Sequence, residues 1–367
     1  MAKTNFAKLT TEQVTVWSRD VWKLARNRSF LNKFAGKSAD SIVHRVTELT
    51  KNEKGARAVL TLVADIEGDG VAGDSQLENR EEEIKAYDRV IRIDQMRNAH
   101  RSEGRMADQR SVVKFRETAR DQLAYWLADR MDQLGFLTLA GIGYGYNVDG
   151  TARASSTFSQ LDFAADVSAA TSNRHFNWTA SGFAAGDVTQ ASIAVPSWEL
   201  IVEARAKAET TYMKPVRGEG GDSLYHVFMS PDAMAKLKMD SDYLAAARSA
   251  LPRSKSANEL WAGADTRVID GIVLHTYRLV PNFTASSDFA GEGTAGVTGC
   301  TMLMCGSQAL GMADLGVPYW DEEMFDYKNQ KGISVGKICG YLKPKFKNIH
   351  TGQDDDFGVM RINVKSV

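Results

Sequence analysis

The clearest pattern in the sequence is a long amphipathic helix over residues 112–139. Apolar side chains recur there at steps of three and four, the spacing that places them on one helical face, and they are Phe115, Ala119, Leu123, Trp126, Leu127, Met131, Leu134 and Leu137. At 1.5 Å per residue this helix would be about 40 Å long. Gly141 follows it, and glycine directly after a helix is a typical stop. The sequence therefore predicts one long helix that is buried on one face and closed by glycine.

A shorter amphipathic pattern lies near the N-terminus. Trp17 and Trp22 stand among apolar residues at helical spacing, in a segment that is also rich in arginine and lysine. We assign this helix to an N-terminal arm, residues 1–41. Its apolar face either packs on the core of the protein itself or docks on a neighbouring subunit. The sequence leaves both possibilities open because so little core lies nearby.

Residues 42–95 change to a β-like pattern. Two predicted strands, 59–63 and 87–93, flank a loop of glycine and aspartate. A two-stranded hairpin alone is only marginally stable in water. This long, charged excursion has few residues that could form a core of its own, so a neighbouring subunit is a natural candidate for its support.

Helices and strands are mixed along the rest of the chain, which predicts an α+β fold. Residues 146–190 are rich in alanine, serine, threonine and asparagine, and we predict a surface insertion or long loops there. The other predicted elements are a helix from Pro196 to Thr211, a strand at 225–229, a helix capped by Ser230 with Pro231 at its first position, a hairpin that turns at Asp270–Gly271, strand-like pieces over 319–349 and a C-terminal strand over 354–364.

Charge and cysteine content exclude several classes of protein. The 45 lysines and arginines balance 46 aspartates and glutamates, so the overall basic excess that holding DNA by its phosphates requires is missing. Cys300, Cys305 and Cys339 are odd in number and lack the paired spacing of a disulfide framework or a zinc site. The sequence shows neither a signal core nor an apolar stretch of membrane-spanning length. We expect a protein made and kept in solution in a reducing compartment, without a membrane partner.

No local motif for catalysis, cofactor binding or metal binding is complete. The segment 332–338 resembles a phosphate-binding loop, but it has three residues between its glycines instead of four, and Ile338 stands where serine or threonine is required. The six histidines are scattered, and the acidic runs 81–83 and 354–356 match no calcium-binding loop. We therefore predict no catalytic residue, no cofactor and no metal ligand.

Several short blocks resemble the major capsid proteins of tailed bacteriophages. Each block alone is weak, but they follow the expected order over almost the whole chain, and they are 54–83, 106–111, 227–232, 269–273, 303–310, 322–337 and 356–359. The group they resemble is typified by the coat protein of coliphage N-four and has the Hong Kong ninety-seven type capsid fold. One departure is the step from Asn79 to Glu82, where a glycine before an Asn-Glu-Glu step is expected.

This resemblance implies a division of the chain into the regions of a capsid subunit. Those regions are the N-terminal arm at 1–41, an extended loop over an adjacent subunit at 42–95, a peripheral domain at 96–190 with the spine helix 112–139, an axial domain at 191–318 and a return to the peripheral domain at 319–367. It also implies self-assembly into the hexamers and pentamers of an icosahedral head, which is built in the host bacterial cytoplasm. The head would enclose DNA without sequence-specific binding. A portal protein, a scaffold and decoration proteins are the further expected partners.

We expect the contacts between subunits to use the arm and the charged loop. The candidates are Trp17, Trp22, Gly68, Gly70, Gly73, Glu81, Glu82, Glu83, Arg89 and Arg92, with the acidic residues pairing with arginines of a neighbour. Solvated charges are the alternative, since exposed ion pairs are typically worth about 0–1 kcal/mol. Three other functions stay open: the shell protein of a bacterial nanocompartment with the same fold, a nucleotide-hydrolysing enzyme, and a minor virion protein.

Overall fold

The structure is a computed structural model of the chain. It describes residues 11–46, 55, 57–63, 70–73, 76, 78–81, 86–110, 115–155, 157–185, 193–218, 221–249, 266–284, 297–348 and 352–366. The α-helices in these ranges are α1 (Thr11–Arg28), α2 (Arg105–Arg110), α3 (Phe115–Ala140), α4 (Trp198–Thr210), α5 (Pro231–Met239) and α6 (Ser241–Ser249).

The strands of the described ranges form two large sheets and two small ones. In chain order they are β1 (Ala35–Gly36), β2 (Val43–Val46), β3 (Arg57–Val63), β4 (Ala86–Arg92), β5 (Asp94–Arg101), β6 (His175–Thr179), β7 (Gly182–Ala185), β8 (Val216–Arg217), β9 (Ser223–Met229), β10 (Thr266–Ile269), β11 (Ile272–Thr276), β12 (Asn282–Phe283), β13 (Gly299–Cys305), β14 (Leu310–Asp314), β15 (Tyr319–Phe325), β16 (Gln330–Leu342), β17 (Lys345–Lys347), β18 (Asp354–Asp356) and β19 (Val359–Lys365).

The two large sheets share the long helix. One has the order β10-β11-β9-β13-β19-β6-β7, with β8 on β9 and β12 on β13. The other has the order β1-β2-β14-β16-β15, with β5 on β16. Helix α3 packs against β13 of the first sheet and against β5, β14 and β16 of the second. A single apolar core therefore runs between the helix and both sheets.

The predicted long helix is confirmed as α3, and residues 112–114 lie outside the described part of the chain. Its end is a Schellman cap, because Gly141 has φ +71° and the N–H of Ile142 donates to the carbonyl of Leu137 at 2.9 Å. The carbonyl of Ser168 lies against Gly141, so a Cβ there would also be crowded. Both the conformation and the close approach explain the glycine.

Local signals also placed the elements between 196 and 276 correctly. The Ser230 side chain accepts from the N–H of Ala233 and Pro231 opens α5. The hairpin turn between β10 and β11 has Asp270 and Gly271 at positive φ, as two-residue hairpin turns require. The predicted start of α4 was early, because Ser197 caps that helix and Trp198 is its first residue.

The predicted surface insertion or long loops over 146–190 is wrong for residues 175–185, which contain β6 and β7, while residues 186–190 lie outside the described part of the chain. Strand β6 lies inside the nine-stranded sheet, parallel to β19. Phe163 and Trp178 are buried in the main core, and the side chain of Asn363 donates to Asn177 at 2.9 Å. The segment's many small polar residues hid a short strand whose partner lies near the C-terminus.

Candidate assembly surfaces

The hairpin of β3 and β4 is the main candidate for contact with a neighbouring subunit. The two strands pair antiparallel over their full length. On the inner face, Ala58, Leu60 and Ile91 pack with Val46 and Ala313 in a small core. The hairpin therefore rests on the chain's own six-stranded sheet, which corrects the expectation that it lacks a core beneath it.

The extended loop is also shorter than the predicted 42–95. Strand β2 (43–46) pairs with β14, and β5 pairs with β16, so both belong to the six-stranded sheet. Gly340 marks the place where the hairpin meets this sheet, because a Cβ there would collide with the carbonyl oxygen of Arg92. Of the described residues in 42–95, strands β3 and β4 therefore form the hairpin outside the strand order of this sheet.

The outer face of the hairpin is exposed and partly apolar. We define this outer face by the exposed residues Arg57, Val59, Thr61, Asp88, Val90 and Arg92. Val59 and Val90 are directly opposite each other in the register, and they are 39% and 44% exposed. The hydroxyl of Thr61 donates to Asp88 at 2.6 Å beside them. An exposed cross-strand valine pair within a charged rim is a surface that a partner could cover.

The two arginines proposed to pair with a neighbour's acidic residues have partners in their own chain. Arg89 donates to the carbonyl of Lys345 at 2.6 Å and to Asp354 at 3.2 Å. Arg92 lies 3.4 Å from Asp166. These guanidinium groups therefore tie the hairpin to its own body, and a pairing of Arg89 or Arg92 across subunits stays a prediction.

The loop candidates between the strands are only partly described. Gly70 and Gly73 have positive φ and open space around them, so they serve the turn conformation. Glu81 is exposed. Gly68, Glu82 and Glu83 lie outside the described residues. A contact role for these six residues stays a prediction.

The N-terminal helix packs on its own subunit. Helix α1 lies against α3 and β15, and the Ser18 hydroxyl donates to the carbonyl of Pro318. The ring of Trp22 is nearly buried, with the Lys337 ammonium 3.6 Å from its centroid. Trp22 is therefore removed from the candidates for contact between subunits, whereas the side chain of Trp17 lies outside the described part of the structure.

Two histidines that looked unrelated in the sequence meet in the core. Nδ1 of His226 on β9 lies 2.8 Å from Nε2 of His275 on β11. Phe34 contacts both rings edge-on, and Phe228 stacks on His275. The pKa of each histidine is lowered from 6.5 to about 4, mainly by burial, and for His275 the neighbouring His226 and Lys33 contribute to this lowering. The pair is held neutral beneath the end of the N-terminal arm.

We expect this pair to make the free subunit sensitive to mild acid. Between pH 6.5 and 4 both histidines take up protons in the unfolded chain while they stay neutral in the folded chain. The free energy of unfolding therefore falls as the pH drops through that window, by roughly 3 kcal/mol for each histidine. Urea unfolding at pH 7.5 and 4.5 measures the loss. A His226→Gln/His275→Gln double variant should lose most of this slope, and an unchanged slope in that variant would contradict the assignment.

The described residues contain no cluster of three or more potential metal ligands. None of their helices has the length and apolar character that a membrane-spanning segment needs.

Sequence and structure comparisons decide the family. The family model described as "Phage capsid protein" matches residues 5–367. A curated relative, the "Major capsid protein" of Pseudomonas phage KPP25, is 52% identical over 98% of this chain and 97% of its own length. The chain belongs to the phage capsid protein family. The predicted function, the major capsid protein of a tailed phage, is confirmed at this level of identity.

Solved capsid structures confirm the fold of this capsid protein. The capsid of Ralstonia phage GP4 superposes with a TM-score of 0.74 at 23% identity, over 99% of this chain and 95% of that chain. The capsid of cyanophage Pam1 superposes with a TM-score of 0.69 at 17% identity, over 100% and 96%. The predicted α+β fold of the Hong Kong ninety-seven type is therefore confirmed.

Proposed function

We propose that copies of this capsid protein assemble into the hexamers and pentamers of an icosahedral head, and that the outer face of the β3–β4 hairpin covers an adjacent subunit. The observation that carries the proposal is the exposed Val59–Val90 pair, opposite an inner face that its own sheet already occupies. Each copy would meet several neighbours. Shell stability then comes from many modest contacts acting together.

Charged substitutions on the outer face test this arrangement. In Val59→Lys/Val90→Lys, we expect the free subunit to keep its fold, because both positions lie on the exposed face and the long lysine side chain can place its ammonium group in water. Shell formation should be lost, because two unpaired cations would be buried in the contact. Electron microscopy with size-exclusion chromatography, on protein assembled under conditions where the unsubstituted chain forms shells, measures the outcome.

A matched variant separates charge from strand propensity. Val59→Thr/Val90→Thr keeps β-branched side chains at both positions. It should assemble much more readily than the lysine variant. Normal shells from the lysine variant would overturn the proposed contact.

We also infer the finer assignments that the resemblance implies. The chain would belong to the group of the coliphage N-four coat protein, with residues 96–190 and 319–367 in the peripheral domain and 191–318 in the axial domain. Assembly would occur in the host cytoplasm, and a portal protein would join the shell, with scaffold and decoration proteins as further partners. The DNA would be enclosed without sequence-specific contacts.

We infer a structural role without enzymatic activity. The segment that resembled a phosphate-binding loop lies within β16, and its Lys337 is buried with Asp314 2.5 Å away. This lysine is therefore engaged inside the core. Nucleotide binding by the purified subunit would contradict the inference and support the hydrolase alternative. Protein cargo in place of DNA in purified particles would favour a nanocompartment.

A further inference from the structure

The turn between β15 and β16 has an unusual sequence for its backbone. The N–H of Asn329 donates to the carbonyl of Asp326 at 2.8 Å, and three successive residues, Asp326, Tyr327 and Lys328, have φ of +47°, +46° and +71°. Positive φ favours glycine and, among the other residues, asparagine and aspartate. Tyrosine and lysine are strained there, and such strain persists at sites where the side chain is needed.

Neighbouring residues hold this turn in place. The side chain of Asn329 donates to Asp326 at 3.2 Å and accepts from the N–H of Arg105 at 3.3 Å. The guanidinium of Arg105 lies 3.5 Å from the carbonyl of Lys328. A Cβ at Gly104 would lie 3.0 Å from the Asn329 side chain, which leaves little room between the two segments. These hydrogen bonds and the close approach of Gly104 therefore hold the turn in one conformation.

The supported turn presents an aromatic ring to the outside. Tyr327 is fully exposed, at 102% of its reference surface. Met106, which follows Arg105 on α2, is 64% exposed. We call residues 103–106 and 326–329 the α2 corner. An exposed tyrosine at this position adds little to the stability of the free subunit. A rigidly held tyrosine is, however, a typical anchor of a protein interface, because it buries a large area at low entropic cost.

We propose that the α2 corner is a contact between capsid subunits and that Tyr327 is its anchor on the surface of a second copy. The inference rests on the proposed function, because it assumes a shell of many copies. Charge favours a second copy over DNA: exposed Glu103 and Asp326 balance exposed Arg105 and Lys328, whereas a surface for phosphates would be basic. A corner with both signs of charge is able to pair with another copy of this acidic and basic chain.

Substitutions in the turn separate an interface role from a structural one. Tyr327→Asn removes the ring and suits the positive φ, so the midpoint of thermal unfolding of the free subunit should stay the same or rise by roughly 1–2 °C. The protein concentration at which half of the subunits assemble should nevertheless rise at least about tenfold. Opposite effects on subunit and shell are not expected from a purely structural residue.

Two matched variants control the experiment. Tyr327→Phe keeps the ring, and Lys328→Gly relieves strain in the same turn while keeping Tyr327. Both should assemble within about threefold of the unsubstituted concentration. Assembly of Tyr327→Asn at the unsubstituted concentration, or an equal loss in Lys328→Gly, would overturn the proposal. Because each variant is compared with the unsubstituted chain, a failure here differs from a failure of that chain to form shells.

Hydroxyl-radical footprinting provides a second measurement that does not depend on substitution or on assembly of the purified subunit. We expect Tyr327 to be oxidised at least about tenfold more slowly in particles from infected cells than in the free subunit. Equal oxidation of Tyr327 in both would overturn the proposal even if the particles contain this chain as their shell protein.

Discussion

In Asp132→Leu, we expect the free energy of unfolding of the subunit to fall by about 4 kcal/mol. Asp132 lies on α3 and is 1% exposed. Its carboxylate accepts from the Ser29 hydroxyl at 2.7 Å and the Tyr277 hydroxyl at 2.7 Å, and from the N–H groups of Phe30 at 2.8 Å and Leu31 at 3.2 Å. Leucine fills the space but leaves two buried donors, of Ser29 and Leu31, and two partly buried donors, of Phe30 and Tyr277, without this acceptor. Urea unfolding of the free subunit measures the loss.

Two variants on the same helix serve as controls for this prediction. Asp132→Asn keeps the shape and one acceptor oxygen, so about half of the loss is expected. Asp129→Leu removes a partly exposed carboxylate that pairs with Arg278 at 3.0 Å and Arg28 at 3.9 Å, which should cost below about 1 kcal/mol. An equal or smaller loss of unfolding free energy in Asp132→Leu than in Asp129→Leu would contradict this prediction. Asp132 would then not hold the N-terminal arm and the segment after β11 to helix α3.

Deleting residues 68–80 should abolish shell formation and leave a folded subunit. The paired strands β3 and β4 remain in this variant, and the inner core of Ala58, Leu60 and Ile91 keeps them on the body. We expect the thermal unfolding midpoint to change little, while the assembled fraction falls below detection in electron micrographs. The loss would follow from the missing part of the loop that is proposed to reach a neighbour.

A shorter deletion controls for the length of the connection. A Cβ at either Gly70 or Gly73 would lie in open space. Removing only residues 70–73 should leave the free subunit as stable as the longer deletion does and should weaken shells less. Normal shells from the 68–80 deletion would show that the loop is dispensable. Aggregation or unfolding of the free subunit would instead show that the loop supports its own body.

The elements that the sequence predicted well are those specified by local patterns. The apolar spacing of α3, the Ser230–Pro231 cap and the Asp270–Gly271 turn each depend on residues that are close together in the chain. Such signals can be found without knowing the topology. The capsid family itself was recognised from the order of many weak blocks along the whole chain.

The features that the sequence did not show depend on distant pairs. Strand β6 pairs with β19, so a polar stretch near 177 becomes sheet interior only when residue 363 is beside it. Lys343 is buried 2.9 Å from Asp356, and nothing near it in the sequence indicates this ion pair. A charged residue in a sequence is normally expected at the surface unless its ion-pair partner is known. Here the fold brings Asp356 next to Lys343.

The in-chain partners of the assembly candidates are also brought in by the fold. Asp354 and Asp166 reach Arg89 and Arg92 from distant segments, which the sequence alone does not indicate. Conversely, the exposed pair of Val59 and Val90 was predicted only as strand residues. Their register and the occupied inner face are needed to recognise an outer surface.

A cryo-electron microscopy reconstruction of particles purified from phage-infected cells tests the central claim most directly. We predict a closed icosahedral shell in which this chain fills every hexamer and pentamer position, with Val59 and Val90 covered by an adjacent copy at van der Waals distance. A shell built from a different protein would contradict the assembly role. A shell of this chain in which the outer face of the hairpin remains open to solvent would contradict the proposed contact.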